Sequence, residues 1–372
     1  MTYAELANPG VRQLPVYEPG RPIELVARDF GLDPEQVSKL ASNENPFGAS
    51  PQALRAAQEA LKSVATYPDG GGLFLREKIA SKHELQPNQI ILGNGSNEIL
   101  ELLGHTFLRS GTEAVMGTPA FIVYKLVTLL FGANPIEVPL VDYTHDLNQM
   151  RKAVTENTRL VFLPSPNNPT GTCNSTEDIR AFAKDLPEHV VFVFDEAYAE
   201  YLASPPDLRD CLESRPLICL RTFSKIYGLA GLRLVYGYGD ASLIQLLQQC
   251  RQPFNANSSA QAAGSAALDD VEWVDSCRKK NDEGLGWLKY ELEKMGLRVI
   301  PSSANFLLVE FENAKSVFEA LQQEGLIVRP LAGYGLANHL RISIGTPDEN
   351  RRLVEFLQSM AGMGQALAQV PS

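Results

Sequence analysis

Six short, almost continuously apolar runs between about residues 88 and 240 constrain this chain more than any other feature: QIILG, EAVMG, LVFLPS, VVFVFD, LICLRT and LVYGYG. They are too short for core helices and lack the alternation of strands with one wet face. Runs of this kind suit strands buried on both faces, as in a parallel sheet covered by helices, and helical patterns separate them here. Several of the runs end in polar, turn-rich sequence: GNGSN, TPAF, SPNNPTG, DEAY and TFSK. Ligands of open α/β sheets gather at the carboxyl ends of the strands. These five segments are therefore expected to converge on one site.

Around this block the chain reads as three parts. Residues 1–30 are rich in Pro and Gly and poorly periodic, which predicts an N-terminal arm. Residues 31–255 form the large α/β domain. It opens with a helix in SPQALRAAQEALKS, where Ser50 is a natural N-cap, Pro51 fits the first turn, and Leu54, Ala57 and Leu61 share a face. Residues 256–372 predict a smaller α+β domain: a long helical stretch over about 258–296, strand-like NFLLVEF, a helix over about 314–323, strand-like HLRISIG and a closing helix. The chain's 372 residues suit two domains, and no internal repeat is present.

With 44% hydrophobic and 21% charged residues, the chain has the composition of a soluble globular protein. A formal net charge of −11 and the absence of a basic tail argue against a nucleic-acid partner, though a few buried arginines can still receive a small anion. The five cysteines form no CxxC pair, which predicts reduced thiols and no metal site. Neither a signal peptide nor an apolar stretch able to span a bilayer is legible, so a cytoplasmic location and no membrane partner are expected.

The segment TFSKIYGLAGLR carries the most chemistry. Lys225 follows a buried strand, where desolvation disfavours the ammonium and favours the neutral, nucleophilic amine. Ser224 and Arg233 flank a loop whose Gly228 and Gly231 let backbone approach a phosphate. A Ser-Lys pair alone favours a surface lysine in a Gly-containing turn; the full S-K-x-x-G-x-x-G-x-R spacing reverses that. In GNGSNEILELL, Gly95, Ser96 and Asn97 open a helix whose free N–H groups and dipole suit an anion.

With GNGSN, TPAF, SPNNPTG, DEAY and HLRISIG in the same order, the chain resembles the class I/II, fold-type I aminotransferases. Within them it resembles the histidinol-phosphate aminotransferases, from about Leu14 to Phe356. That resemblance implies pyridoxal 5′-phosphate as cofactor, with Lys225 as its covalent anchor and general acid/base. It implies Asp195 against the pyridine nitrogen, Tyr198 and Asn168 at the ring hydroxyl, and Phe121 stacked on the ring. Gly95, Ser96, Asn97, Ser224 and Arg233 would hold the phosphate, with Asn97 standing where most relatives carry Asp. Tyr67 resembles a tyrosine reaching the neighbouring subunit's phosphate, and Tyr17 an arm tyrosine of the partner's substrate pocket, so a homodimer is implied. Arg341 matches the clamp for the substrate's anionic group; Arg329 and Asn43 are further substrate contacts. The implied reaction is transamination between an amino donor and a 2-oxo acid, histidinol phosphate with 2-oxoglutarate leading. An aromatic aminotransferase and a phosphothreonine-type decarboxylase remain as alternatives. The five histidines lie outside these motifs, so a histidine base is not expected.

Overall fold

The computed structural model describes residues 2–14, 16, 20–362 and 367. Its centre is a seven-stranded sheet built from β1 (Ile90–Asn94), β2 (Glu113–Thr118), β3 (Asn134–Pro139), β4 (Thr158–Pro164), β5 (Val191–Asp195), β6 (Leu217–Thr222) and β7 (Leu234–Gly239), in spatial order β1-β7-β6-β5-β4-β2-β3. β2 to β6 pair in parallel, whereas β7 runs antiparallel to both β6 and β1. Every residue of β5, β6 and β7 is buried, as expected of strands covered on both faces. The six apolar runs all became strands of this sheet. The seventh, β3, carries Pro135 and Pro139 and lies at the edge, the place where a missing N–H donor is tolerated.

The single reversed strand matters for the site. β1, β2, β4, β5 and β6 end at one edge of the sheet, and β7 begins there, so Arg233 arrives beside the segments that leave the other strands.

Two large cores lie on either face of this sheet. The helix Pro51–Leu61 starts as read, with Ser50 Oγ accepting from the Ala53 N–H at 3.0 Å. Of its apolar residues, Ala53 is buried, while Leu54 and Leu61 are 50% and 55% exposed. The 258–296 stretch is two helices, Ser258–Asp269 and Val271–Lys294, split at Asp270, whose carboxylate caps the second one. Ala260, Ala263 and Ala267 of the first complete the core of the large sheet. The second bridges the two lobes: Cys277 joins the large core, Leu288 and Leu292 the small one.

The small lobe holds a four-stranded antiparallel sheet whose central strands are Phe306–Glu310 and His339–Ser343. Helices Ala314–Gln323 and Pro347–Gly362 cover it, burying Leu321, Leu353 and Leu357. In the N-terminal region, Ile23–Phe30 is a helix whose Val26 and Ala27 pack with Val37, Ala41 and Ile327. Gly10 presses against the end of the helix Val123–Leu130, where a Cβ would lie 2.3 Å from the Leu129 carbonyl oxygen.

Candidate active site

The strand ends enclose a cavity of about 450 Å³ lined by residues that include Ser96, Asn97, Phe121, Asn168, Asp195, Tyr198, Ser224, Lys225 and Arg233. Nine of the residues singled out from sequence thus share one wall, and no histidine is among the described residues lining it.

Lys225 leaves β6 and sends its Nζ to the Ser42 carbonyl oxygen at 3.1 Å, 5.7 Å from the centre of the Tyr198 ring. Burial, reinforced by the Arg341 charge, lowers its pKa from 10.5 to about 8, against opposing pulls from Glu44 and Asp195. The amine is therefore much more readily neutral than a surface lysine.

Asp195, the last residue of β5, is 5% exposed. Its carboxylate accepts from the Tyr124 hydroxyl at 2.6 Å and from the Ala197 N–H at 3.1 Å. Burial nonetheless raises its pKa, because these donors and the Lys225 charge do not fully replace water. A buried carboxylate in this state favours a cationic partner within reach. Tyr198 is also buried, its hydroxyl accepting from Asn43 Nδ2 at 2.8 Å, and its pKa is pushed up to about 12, mainly by burial. Asn43 accepts from the Ser343 hydroxyl at 2.9 Å through its side-chain oxygen and supports Tyr198 from behind.

At the opposite end lies a cradle for an anion. Gly95 precedes the helix Ser96–Phe107 with φ of 78°, and the first turn of that helix presents N–H groups without intrahelical acceptors. A Cβ on Gly95 would sit 2.0 Å from Arg233 Nη2, so the glycine makes room for the guanidinium. Arg233 itself is held at φ 58° at the turn into β7. Ser224 is buried beside it, its N–H bonded to Thr222 Oγ1 at 3.0 Å. Phe121 faces the cavity and meets Tyr124 edge-on, ring centres 5.6 Å apart.

Arg341 is 7% exposed and bonds Asn168 Oδ1 and the Ala41 carbonyl oxygen, its guanidinium 5.4 Å from the centre of the Phe306 ring. It thereby joins the small lobe to the SPNNPTG loop. Arg329 sits opposite Arg341 on the neighbouring strand and lines an adjoining cavity with Arg21, Gln322 and Tyr334. Leu126 lines both cavities. Tyr67 lies away from these residues, 82% exposed and stacked on Phe254 at 4.6 Å. Tyr17 lies outside the described residues.

Tyr124 and Thr222 line the cavity without having been foreseen. Tyr124 stacks on Phe162 at 4.8 Å, and its deep burial keeps the hydroxyl protonated as a donor to Asp195. No local signal marked it, because a tyrosine in the apolar helix Val123–Leu130 reads as core packing. Among the described residues no cluster of metal-ligating side chains is present.

The family model for aminotransferase class I and II matches residues 35–357. The chain is 46% identical over 366 residues to histidinol-phosphate aminotransferase 2 of Pseudomonas fluorescens (strain Pf0-1), covering 97% of this chain and 99% of that protein. It is 45% identical over 362 residues to the histidinol-phosphate aminotransferase of Akkermansia muciniphila, covering 97% of this chain and 100% of the relative. The structure of histidinol-phosphate aminotransferase from Sinorhizobium meliloti in complex with pyridoxal-5′-phosphate is similar, with a TM-score of 0.87, 28% identity and coverage of 95% and 98% of the two chains.

Proposed function

The chain belongs to the class I and II aminotransferases, and on that premise we propose that it moves the amino group of histidinol phosphate to 2-oxoglutarate with pyridoxal 5′-phosphate as cofactor. The observation that carries this reading is one cavity holding a lysine of depressed pKa, a buried carboxylate and a glycine–arginine anion cradle.

The residues present fit the cofactor. Asp195, with its raised pKa, suits a protonated ring nitrogen, whose positive charge would offset the hydration that burial removes. Ser96, Asn97, Ser224 and Arg233 would bind the phosphate, Phe121 would cover the ring, and Tyr198 with Asn168 would meet the ring hydroxyl. When bound, pyridoxal phosphate supplies an electron sink for negative charge developing at the substrate Cα.

The protein's part is positioning and proton transfer. Lys225 would hold the cofactor through its Nζ, and the same amine, when free and neutral, would take the proton from the substrate Cα and deliver it to the carbon that joins cofactor and amine. Asp195 would keep the ring nitrogen protonated. Tyr124 donates to Asp195 and keeps that carboxylate in line. Arg341 receives the anionic group of either substrate, its planar fork suiting carboxylate and phosphate alike.

A homodimer is part of the same proposal. Leu54, Leu61, Val64, Tyr67 and Phe74 are 50%, 55%, 70%, 82% and 78% exposed along one stretch of chain, an apolar strip that a second copy would cover. Tyr67 and Tyr17 are proposed to serve the partner's site. We place the enzyme in the cytoplasm on its five free cysteines; no helix among the described residues is long and apolar enough to cross a membrane.

The test is kcat/KM for histidinol phosphate and for phenylalanine, each with 2-oxoglutarate, while CO₂ is monitored. A large preference for histidinol phosphate without CO₂ supports the proposal. Equal or better use of phenylalanine makes the enzyme an aromatic aminotransferase, and CO₂ release independent of the keto acid makes it a decarboxylase.

A further inference from the structure

Between β3 and β4 the chain makes a tight hairpin in which Val141 and Thr144 exchange two backbone hydrogen bonds of 2.9 Å. Both central residues are left-handed, Asp142 at φ 46° and Tyr143 at φ 63°. Turns of this form prefer Asn-Gly or Asp-Gly, and a bulky aromatic in the second position is an outlier. Such strain persists where the surroundings over-determine it, and it points to a role for the side chain.

The Tyr143 side chain crosses from the large lobe to the small one. It packs against the cluster of Ile300, Leu308 and Leu331, under the Arg298 guanidinium at 5.4 Å. Its hydroxyl lies 3.0 Å from His339 Nε2. Burial depresses the His339 pKa against the opposing pull of Glu310, which favours the neutral ring, and a neutral Nε2 can accept the phenolic proton.

His339 begins the strand that carries Arg341. Alternate residues of that strand share a face, and all three on this face are held from outside the small sheet. His339 meets Tyr143, Arg341 meets Asn168, and Ser343 meets Asn43, which in turn holds Tyr198. A second route ends on the same turn. Asn167 Nδ2 donates to Thr170 Oγ1, the two hydroxyls of Thr170 and Thr172 lie 2.8 Å apart, and Thr172 Oγ1 donates to the Tyr143 carbonyl oxygen at 2.7 Å. The turn therefore ties the Asn168 loop and the Arg341 strand together.

We propose that Tyr143 is a positioning residue for the reaction: it registers the His339–Ser343 strand against the large lobe and so sets where Arg341 receives the substrate's anionic group. This rests on Arg341 being the anion clamp of the proposed transaminase. Tyr143 touches neither Lys225 nor the phosphate cradle, so its loss acts on substrate binding rather than on chemistry.

The test compares holoenzyme of wild type, Tyr143→Phe and Tyr143→Gly. The first variant removes only the hydroxyl; the second removes the ring and its packing as well, while relieving the backbone strain, because glycine accepts φ 63°. Steady-state constants are measured with histidinol phosphate and 2-oxoglutarate, and the Kd of glutarate, an unreactive dicarboxylate, is read from the cofactor absorbance. Loss of a hydrogen bond at this level predicts KM and the glutarate Kd each raised about three- to tenfold. The kcat should stay within about twofold in both variants, and the urea midpoint of the phenylalanine variant should move little. Unchanged KM and glutarate Kd in both variants would overturn the proposal. So would KM rising only alongside parallel losses of kcat and urea midpoint, the signature of a merely structural residue. If wild type itself does not use histidinol phosphate, the substrate reading fails, and the glutarate measurement still decides the role of Tyr143.

Discussion

Replacing Lys225 by methionine should stabilise the cofactor-free protein, and by an amount that depends on pH. The lysine pKa falls from 10.5 in an unfolded chain to about 8 in the folded one. At about 1.36 kcal/mol per pH unit, holding the charged ammonium in the site costs about 3.4 kcal/mol. Between pH 8 and 10.5 the unfolded chain binds the proton that the folded chain has released, so wild-type stability rises with pH across that window. The cost is fully present below pH 8 and absent above 10.5. Methionine carries no such penalty, and its loss of the Ser42 contact is independent of pH to first order. The advantage of Lys225→Met over wild type should therefore shrink by about 2 kcal/mol between pH 7 and pH 9.5. Urea unfolding of both apoproteins at matched concentration measures this difference directly, since groups common to the two chains cancel. An advantage that is the same at both pH values would refute the claim that Lys225 is held near neutrality by desolvation.

Three further outcomes follow from the site. Gly95→Ala puts a methyl where Arg233 Nη2 now lies and strains a residue at φ 78°, so cofactor affinity should drop at least tenfold, about 1.4 kcal/mol, by titration with pyridoxal phosphate; unchanged affinity would remove Arg233 from the cradle. Arg341→Lys keeps the charge but loses the fork that reaches Asn168 and the Ala41 carbonyl, so KM for both substrates should rise about tenfold or more with the cofactor spectrum unchanged. Tyr124→Phe removes a donor that holds the Asp195 pKa down, so the acid limb of the pH–rate profile should move to higher pH; an unmoved limb would show that Asp195 does not depend on Tyr124.

The large sheet was legible because strands buried on both faces leave unbroken apolar runs, as VVFVFD and LICLRT do. β3 escaped that reading because its prolines and half-exposed edge position remove both the run and the propensity. The split at Asp270 was hidden in continuous helical periodicity: a single capping carboxylate ends one helix and starts the next without a Gly or Pro to mark it. Lys225, Asp195 and Arg233 could be placed at one edge from strand order and motif spacing. Tyr124 could not, since one tyrosine in an apolar helix reads as core packing until its hydroxyl is seen 2.6 Å from Asp195. Tyr143 was invisible for a different reason. Its weight lies in a left-handed φ and a contact with a residue 196 positions away, neither of which local pattern records.

The central claim is that Lys225 is the residue that holds the cofactor. Borohydride reduction of the holoenzyme fixes the lysine–cofactor linkage, and digestion with mass spectrometry then locates the modified residue. The account predicts stoichiometric modification in the peptide containing Ser224-Lys225-Ile226 and none in a Lys225→Ala protein. Modification at another lysine, or a Lys225→Ala protein that is labelled and turns over as wild type does, would contradict it.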